Sequence, residues 1–156
     1  MEQILVKKGY HEHKVLLSMY EETNETFCIL QFNSTDVNLS YLRKDLHELF
    51  TTSDISDIVL EFSDMHMENI KEICEIIESY KRKHPHIKIV KVKFDEIDIF
   101  DMNKIPKMIL SDNDISELHF HNCLIQECDE NILYQKNEKL EDVNMRDCYC
   151  VRYTLY

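Results

Sequence analysis

The sequence holds one glycine, two prolines, no tryptophan and no alanine in 156 residues. The lone Gly9 excludes the phosphate-cradling loops of dinucleotide-binding and P-loop proteins, which need several backbone positions free of a Cβ. Positive charge is also scarce, with 18 Lys and Arg against 30 Asp and Glu for a net charge of −12. Nucleic acid is held by neutralising phosphates, so this balance argues against a nucleic-acid partner and equally against an anionic membrane surface. No apolar run approaches the roughly 20 residues that span a bilayer. The start, Met1-Glu2-Gln3-Ile4-Leu5-Val6-Lys7-Lys8, lacks the basic segment and long apolar stretch of a secretory signal. These absences lead us to expect a cytoplasmic or nuclear protein of a reducing compartment, not a secreted or membrane protein.

What is present points to one folded domain over 1–156, since 44% of residues are hydrophobic and branched and aromatic side chains are plentiful. The excess of Ile, Lys, Asn, Asp and Glu is the composition that an AT-rich genome encodes, as in some viruses and parasites. Six cysteines, Cys28, Cys74, Cys123, Cys128, Cys148 and Cys150, are expected as free thiols, because a chain with this much apolar content does not need disulfides to fold.

Apolar residues at Ile4-Leu5-Val6 and at Val15-Leu16-Leu17 and Met19 flank the turn that carries Gly9. They predict a β-hairpin over 3–20, within an N-terminal cap of residues 1–26. From residue 27 the pattern changes. Apolar residues fall at relative positions one, four and six in Phe27/Leu30/Phe32, Ile55/Ile58/Leu60, Ile87/Val90/Val92, Ile115/Leu118/Phe120 and Leu140/Val143/Met145, with starts 28, 32, 28 and 25 residues apart. Position nine holds Thr35, Ser63, Asp95, Cys123 and Cys148. Alternate residues of a strand share a face, so positions four and six enter the core together.

Between these strands, Leu42, Leu46 and Leu49 mark an amphipathic helix near 40–50, and Met67, Ile70, Cys74, Ile77 and Tyr80 mark a longer one. Lys81-Arg82-Lys83 and then Pro85 suit its C-terminus, and Pro106 opens a short helix carrying Met108, Ile109 and Leu110. The result is an α/β chain of strand, crossover and parallel strand. Residues 27–147 form the repeats and 148–156 a C-terminal cap in which Val151, Tyr153 and Leu155 alternate.

The copies Ile115–Cys123 and Leu140–Cys148 resemble the cysteine-containing subfamily of leucine-rich repeats. That resemblance implies a short solenoid of about five parallel strands with helices on the convex side, and a concave sheet face that docks another protein. In layout, residues 26–121 also resemble the STAS domains of anti-sigma-factor antagonists, with Ile58-Val59-Leu60-Glu61-Phe62 as a central strand. The serine motif expected after that strand is replaced by Ser63-Asp64-Met65-His66-Met67. A STAS-like regulatory domain is therefore the alternative reading.

Three His-x-His pairs, His11/His13, His84/His86 and His119/His121, give a third reading as a histidine-based metal-binding protein, because such a pair on a strand projects both imidazoles from one face. In the repeat register Lys91 and Lys93 lie beside His119/His121 and oppose a divalent cation. Cys123, Cys128, Cys148 and Cys150 lack the usual paired spacing of a structural zinc site. Cys28 and Cys74 lack a local base or a glycine-rich elbow for nucleophilic catalysis. No catalytic residue, cofactor or metal is expected. The expected site is the outward row of the repeats: Asp57, Val59 and Glu61, then Lys91 and Lys93, then Glu117, His119 and His121, then Asn144 and Arg146. The expectation is a non-enzymatic protein-interaction module or adaptor, a monomer or a homodimer through a solenoid end.

Overall fold

A computed structural model describes residues 2–8, 13–20, 25–33, 39–52, 56–126 and 130–151. Three antiparallel strands come first: β1 (Glu2–Lys8), β2 (His13–Tyr20) and β3 (Glu25–Asn33). Then α1 (Leu39–Thr52), β4 (Asp57–Ser63), α2 (Met67–Lys83) and β5 (Lys88–Asp95) follow. The short β6 (Asp98–Ile99), a 3-10 turn at Met102–Lys104 and α3 (Lys107–Ser111) lead to β7 (Glu117–His121). The described chain ends with β8 (Leu124–Gln126), α4 (Glu130–Lys136), β9 (Asp142–Arg146) and β10 (Tyr149–Val151).

The chain is α/β. Its main sheet has seven strands in the order β1-β2-β3-β4-β5-β7-β9, in which β3, β4, β5, β7 and β9 are parallel. Spatial order follows chain order throughout this sheet. A second sheet, which the sequence pattern does not reveal, has the order β10-β8-β6 and is parallel as well.

Helices α1, α2 and α3 form where the sequence pattern predicts them, whereas α4 is not foreseen by it. In α2 the stripe Ile70, Ile73, Cys74, Ile76 and Ile77 is buried, Glu68 occupies the first turn, and Lys81, Arg82 and Lys83 occupy the last, each charge placed to suit the helix dipole. The His84 N–H closes the helix on the Tyr80 carbonyl at 3.1 Å before Pro85 prevents its continuation. Helix α1 contacts α2, α2 contacts α3 and α3 contacts α4, so the helices too lie side by side in chain order.

The core is a single cluster whose centre is a ladder of phenylalanines. Phe32, Phe62, Phe94 and Phe120 are fully buried and stack at ring separations of 5.3, 5.9 and 5.2 Å, with Met145 in the same register position on β9. Burying each ring contributes roughly 2–3 kcal/mol from apolar area alone.

This ladder corrects the expected register of the middle repeats. The residues aligned with Leu30/Phe32, Leu118/Phe120 and Val143/Met145 are Leu60/Phe62 and Val92/Phe94, two places beyond Ile58/Leu60 and Val90/Val92. The offset of two enters between β3 and β4, where Leu30 pairs with Leu60 in an unbroken register, and β5 carries a bulge of its own. Ile58 pairs with Ile89 but Val59 pairs with Lys91, so Val90 is an extra residue, and its carbonyl accepts the Ser116 N–H at 3.1 Å. Position nine moves with the register: Met65 and Ile97, both buried, stand where Ser63 and Asp95 were expected. Thr35 lies outside the described residues.

In the main sheet each parallel strand from β4 on is followed by a residue with positive φ: Asp64 at 51°, Glu96 at 53°, Asn122 at 53° and Asp147 at 54°. The N–H groups of Asp64, Glu96 and Asn122 donate to Asp95, His121 and Arg146 carbonyls at 3.1, 3.0 and 3.0 Å, so the first three of these turns are tied to the following strand of the main sheet. After the turn, Cys123 Sγ donates to the Phe94 carbonyl at 3.5 Å, and Cys148 Sγ donates to Phe120 at 3.2 Å. The two thiols, at position nine of the two C-terminal copies, repeat one bond.

Among the described residues, Cys28, Cys74, Cys123, Cys148 and Cys150 are free thiols. Cys128, residues 152–156 of the expected C-terminal cap and the Gly9 turn lie outside the described residues. Among those described, no helix is long and apolar enough to cross a membrane.

Candidate functional site on the sheet face

On the parallel strands, residues that alternate with the core form three rows that cross the sheet. The first row is Ile29, Val59, Lys91, Glu117 and Asp142; the second is Gln31, Glu61, Lys93, His119 and Asn144; the third is Asn33, Ser63, Asp95, His121 and Arg146. All are half-buried or exposed. Asp57 begins β4 on the same side as Val59, paired with Phe27 and Lys88. The ten residues expected to bind a partner therefore share one face. The antiparallel strands prolong the first row in register through Leu16 opposite Ile29 and Val6 opposite Leu16, an extension that the repeat pattern does not include.

The face is graded along the sheet. Ile29 and Val59 are adjacent apolar side chains near the hairpin. Lys91 and Lys93 place two ammonium groups in the middle, with Glu61 opposite Lys93 on one side and Glu117 opposite Lys91 on the other. Gln31 Nε2 donates to Glu61 Oε2 at 2.7 Å, which fixes that carboxylate next to the lysine pair. Far from the hairpin, carboxylate and imidazole groups meet.

At that far end the register differs from expectation. His119 lies opposite Lys93, but His121 lies opposite Asp95, and Lys91 faces Glu117. The change follows from the β5–β7 register, in which Val92 and not Val90 lies opposite Leu118, so each lysine stands two positions earlier along β7. Partial desolvation, and then the charges of Lys93 and Arg146, lower the His121 pKa from its ordinary value.

His119 Nε2 is buried and has no hydrogen-bond partner, although Asp142 Oδ2 is 3.3 Å away. The separation permits an ion pair with a protonated imidazole, but the geometry is not that of a hydrogen bond. Glu117 completes the group, since one ligand atom from each of Glu117, His119 and Asp142 lies within 4.8 Å of the other two. Among the described residues this is the one cluster of three or more His, Cys, Asp or Glu side chains so arranged. Sequence reasoning singled out His119 and passed over Asp142 as a ligand, because the pairing of β7 with β9 is needed to bring them together. The other histidine pairs are placed differently: His84/His86 follows α2 with ring centroids 6.1 Å apart, and His11 lies outside the described residues.

The cysteines weighed as nucleophiles are buried. Burial pushes the Cys28 thiol up to about 12, and burial together with Glu78 and Glu75 raises that of Cys74. Burial likewise takes Cys123 up to about 11. At neutral pH all three are protonated thiols, which are poor nucleophiles.

A separate groove of about 510 Å³ lies where β4 and β5 end, lined by Asp64, Met67, Glu68, Glu96, Asp98 and the exposed Phe100 among others. Compared with protein-family models, with curated proteins and with solved structures, the chain matches none.

Proposed function

We propose that the chain is a short leucine-rich-repeat-like solenoid that acts as a non-enzymatic docking module of a reducing compartment, binding another protein through the graded sheet face. The observation that carries this reading is the chain-ordered parallel sheet, in which every neighbour in space is a neighbour in sequence. A STAS-like domain shuffles its strands, so this order favours the repeat reading. Stacked units of that kind expose one long, regular face, and such a face suits an extended partner. The repeated thiol bonds of Cys123 and Cys148 support the cysteine-containing repeat in particular.

The chemistry of the face specifies its occupant. A partner that fits presents an acidic group to Lys91 and Lys93, donors or cations to Glu61 and Glu117, and an apolar side chain to Ile29 and Val59. Half-buried charges of both signs give orientation and salt sensitivity more than raw affinity. The test compares captured proteins for wild type, for Lys91→Glu/Lys93→Glu, and for Lys71→Glu/Lys107→Glu on exposed helix positions, which changes net charge equally. Partners lost only with the first variant, and released by salt, support the reading. An identical set with all three proteins refutes it.

A further inference from the structure

We propose that Glu117, His119 and Asp142 form a binding site for one divalent transition-metal cation, with Zn²⁺ as its best occupant. Neighbouring strands supply the ligands. Glu117 and His119 are alternate residues of β7 and share its open face, while Asp142 begins β9 directly opposite Glu117.

The spacing fits a metal better than it fits a direct bond. Zinc binds imidazole nitrogen and carboxylate oxygen at about 2.0–2.1 Å in a tetrahedron, whose edges are then about 3.3–3.4 Å. His119 Nε2 and Asp142 Oδ2 are separated by 3.3 Å. A charge-assisted N–H···O bond would draw them to about 2.7–2.9 Å. Neutral imidazole offers a lone pair at Nε2, and that atom is buried without a donor, so its desolvation is uncompensated until a cation arrives. Two carboxylates and one neutral imidazole balance the charge of a divalent ion. One nitrogen and two oxygen ligands suit Zn²⁺ better than Mg²⁺ or Ca²⁺, which prefer oxygen alone. Glu117 closes the site by a side-chain rotation, and solvent on the open face provides a fourth ligand.

Lys91 opposite Glu117, Lys93 opposite His119, and His121 and Arg146 one step along the strands surround the site with groups that compete with or repel the ion. Their effect is to weaken the site, and removing the two lysines should tighten it. The proposal does not depend on the docking function, since metal binding is measured on the isolated protein.

The experiment titrates the chelator-stripped full chain with Zn²⁺ at pH 7.5 by calorimetry, and with Co²⁺ by visible absorption. One ion per chain is expected, with the strong d–d bands of tetrahedral Co²⁺ and without the near-ultraviolet charge transfer of thiolate ligation. His119→Ala and the near-isosteric Asp142→Asn should each weaken binding by about tenfold or more, as loss of even an outer-shell partner does. His84→Ala and Cys150→Ser should leave it unchanged, and Lys91→Met/Lys93→Met should strengthen it. Unfolding curves identify any variant that has lost its fold, in which case Asp142→Asn alone decides. Absence of stoichiometric binding to the folded wild type, or binding that survives Asp142→Asn at full strength, overturns the proposal.

Discussion

The half of the sheet built from β3, β4 and β5 and the half built from β7 and β9 cover the same kind of core with different amounts of chain. In the first half the crossovers are helices of 14 and 17 residues, and β4 alternates buried and half-buried residues without a break. In the second half the helices shrink to five and seven residues, and short strands of the second sheet fill the space they leave. Coverage thins toward the end, where Val143 and Met145 are only partly buried. The long helix α2 buries five residues, whereas the short α3 and α4 bury three and one. Both halves share one apolar core, and the second adds a buried polar residue, Asn137, whose side chain bonds its turns.

The largest expected effect tests that division on the ring ladder. Phe94→Ala, at its centre, should cost about 3–5 kcal/mol in urea unfolding, since it opens a cavity between two stacked rings. Met145→Ala, in the same register position at the thin end, should cost below about 2 kcal/mol because its side chain is already partly solvated. Equal losses would break the comparison.

Next in size is Asn137, the buried polar residue of the second half. Its Nδ2 donates to the Asp112 and Ile115 carbonyls at 2.9 and 3.1 Å, and its Oδ1 accepts the Lys139 N–H at 3.0 Å. Asn137→Ala strands those groups and should cost about 1–3 kcal/mol. The same unfolding curves measure it, and a negligible loss would show that apolar area governs both halves.

Alkaline pH discriminates through the thiols. Burial raises Cys28 from 9.0 to about 12 and Cys123 from 9.0 to about 11. A thiol whose pKa is raised by folding contributes stability below pH 9.0 and loses it as the pH climbs through the folded value. Denaturant midpoints should therefore fall between pH 9.0 and the region of 11–12, and Cys28→Ala should blunt the fall more than Cys123→Ala, because its shift is larger. A pH profile identical to wild type in Cys28→Ala would contradict this.

The smallest effect is a gain. Glu96 holds a left-handed backbone at φ 53° that glycine adopts without a Cβ clash. Glu96→Gly should raise the thermal midpoint by the equivalent of at most about 1 kcal/mol, since added freedom in the unfolded chain offsets part of the relief. A drop would mean that the Glu96 side chain contributes more than its turn.

Much of this arrangement was legible in the sequence where periodicity is long. The stripes of α1 and α2, the stop at Pro85 and the start at Pro106 each rest on several residues that agree. Register was legible only where one alignment fits, as at Ile115–Cys123. Strands β4 and β5 carry apolar residues at every alternate position, so Ile58/Leu60 and Leu60/Phe62 satisfy the same pattern, and the Val90 bulge leaves no mark in composition. Strands of two or three residues fall below any period, and α4 buries only Leu133 among its described residues. The face residues followed from alternation, but the meeting of His119 with Asp142 depends on a strand pairing that spans more than 20 residues of chain.

The turns that end β5 and β7 carry a consequence for the length of the chain. Because Glu96 bonds to His121 and Asn122 bonds to Arg146 in the same way, residues 122–146 run between two equivalent backbone bonds. An in-frame duplication of that segment inserts a ready-made strand, turn and helix whose backbone partners already exist.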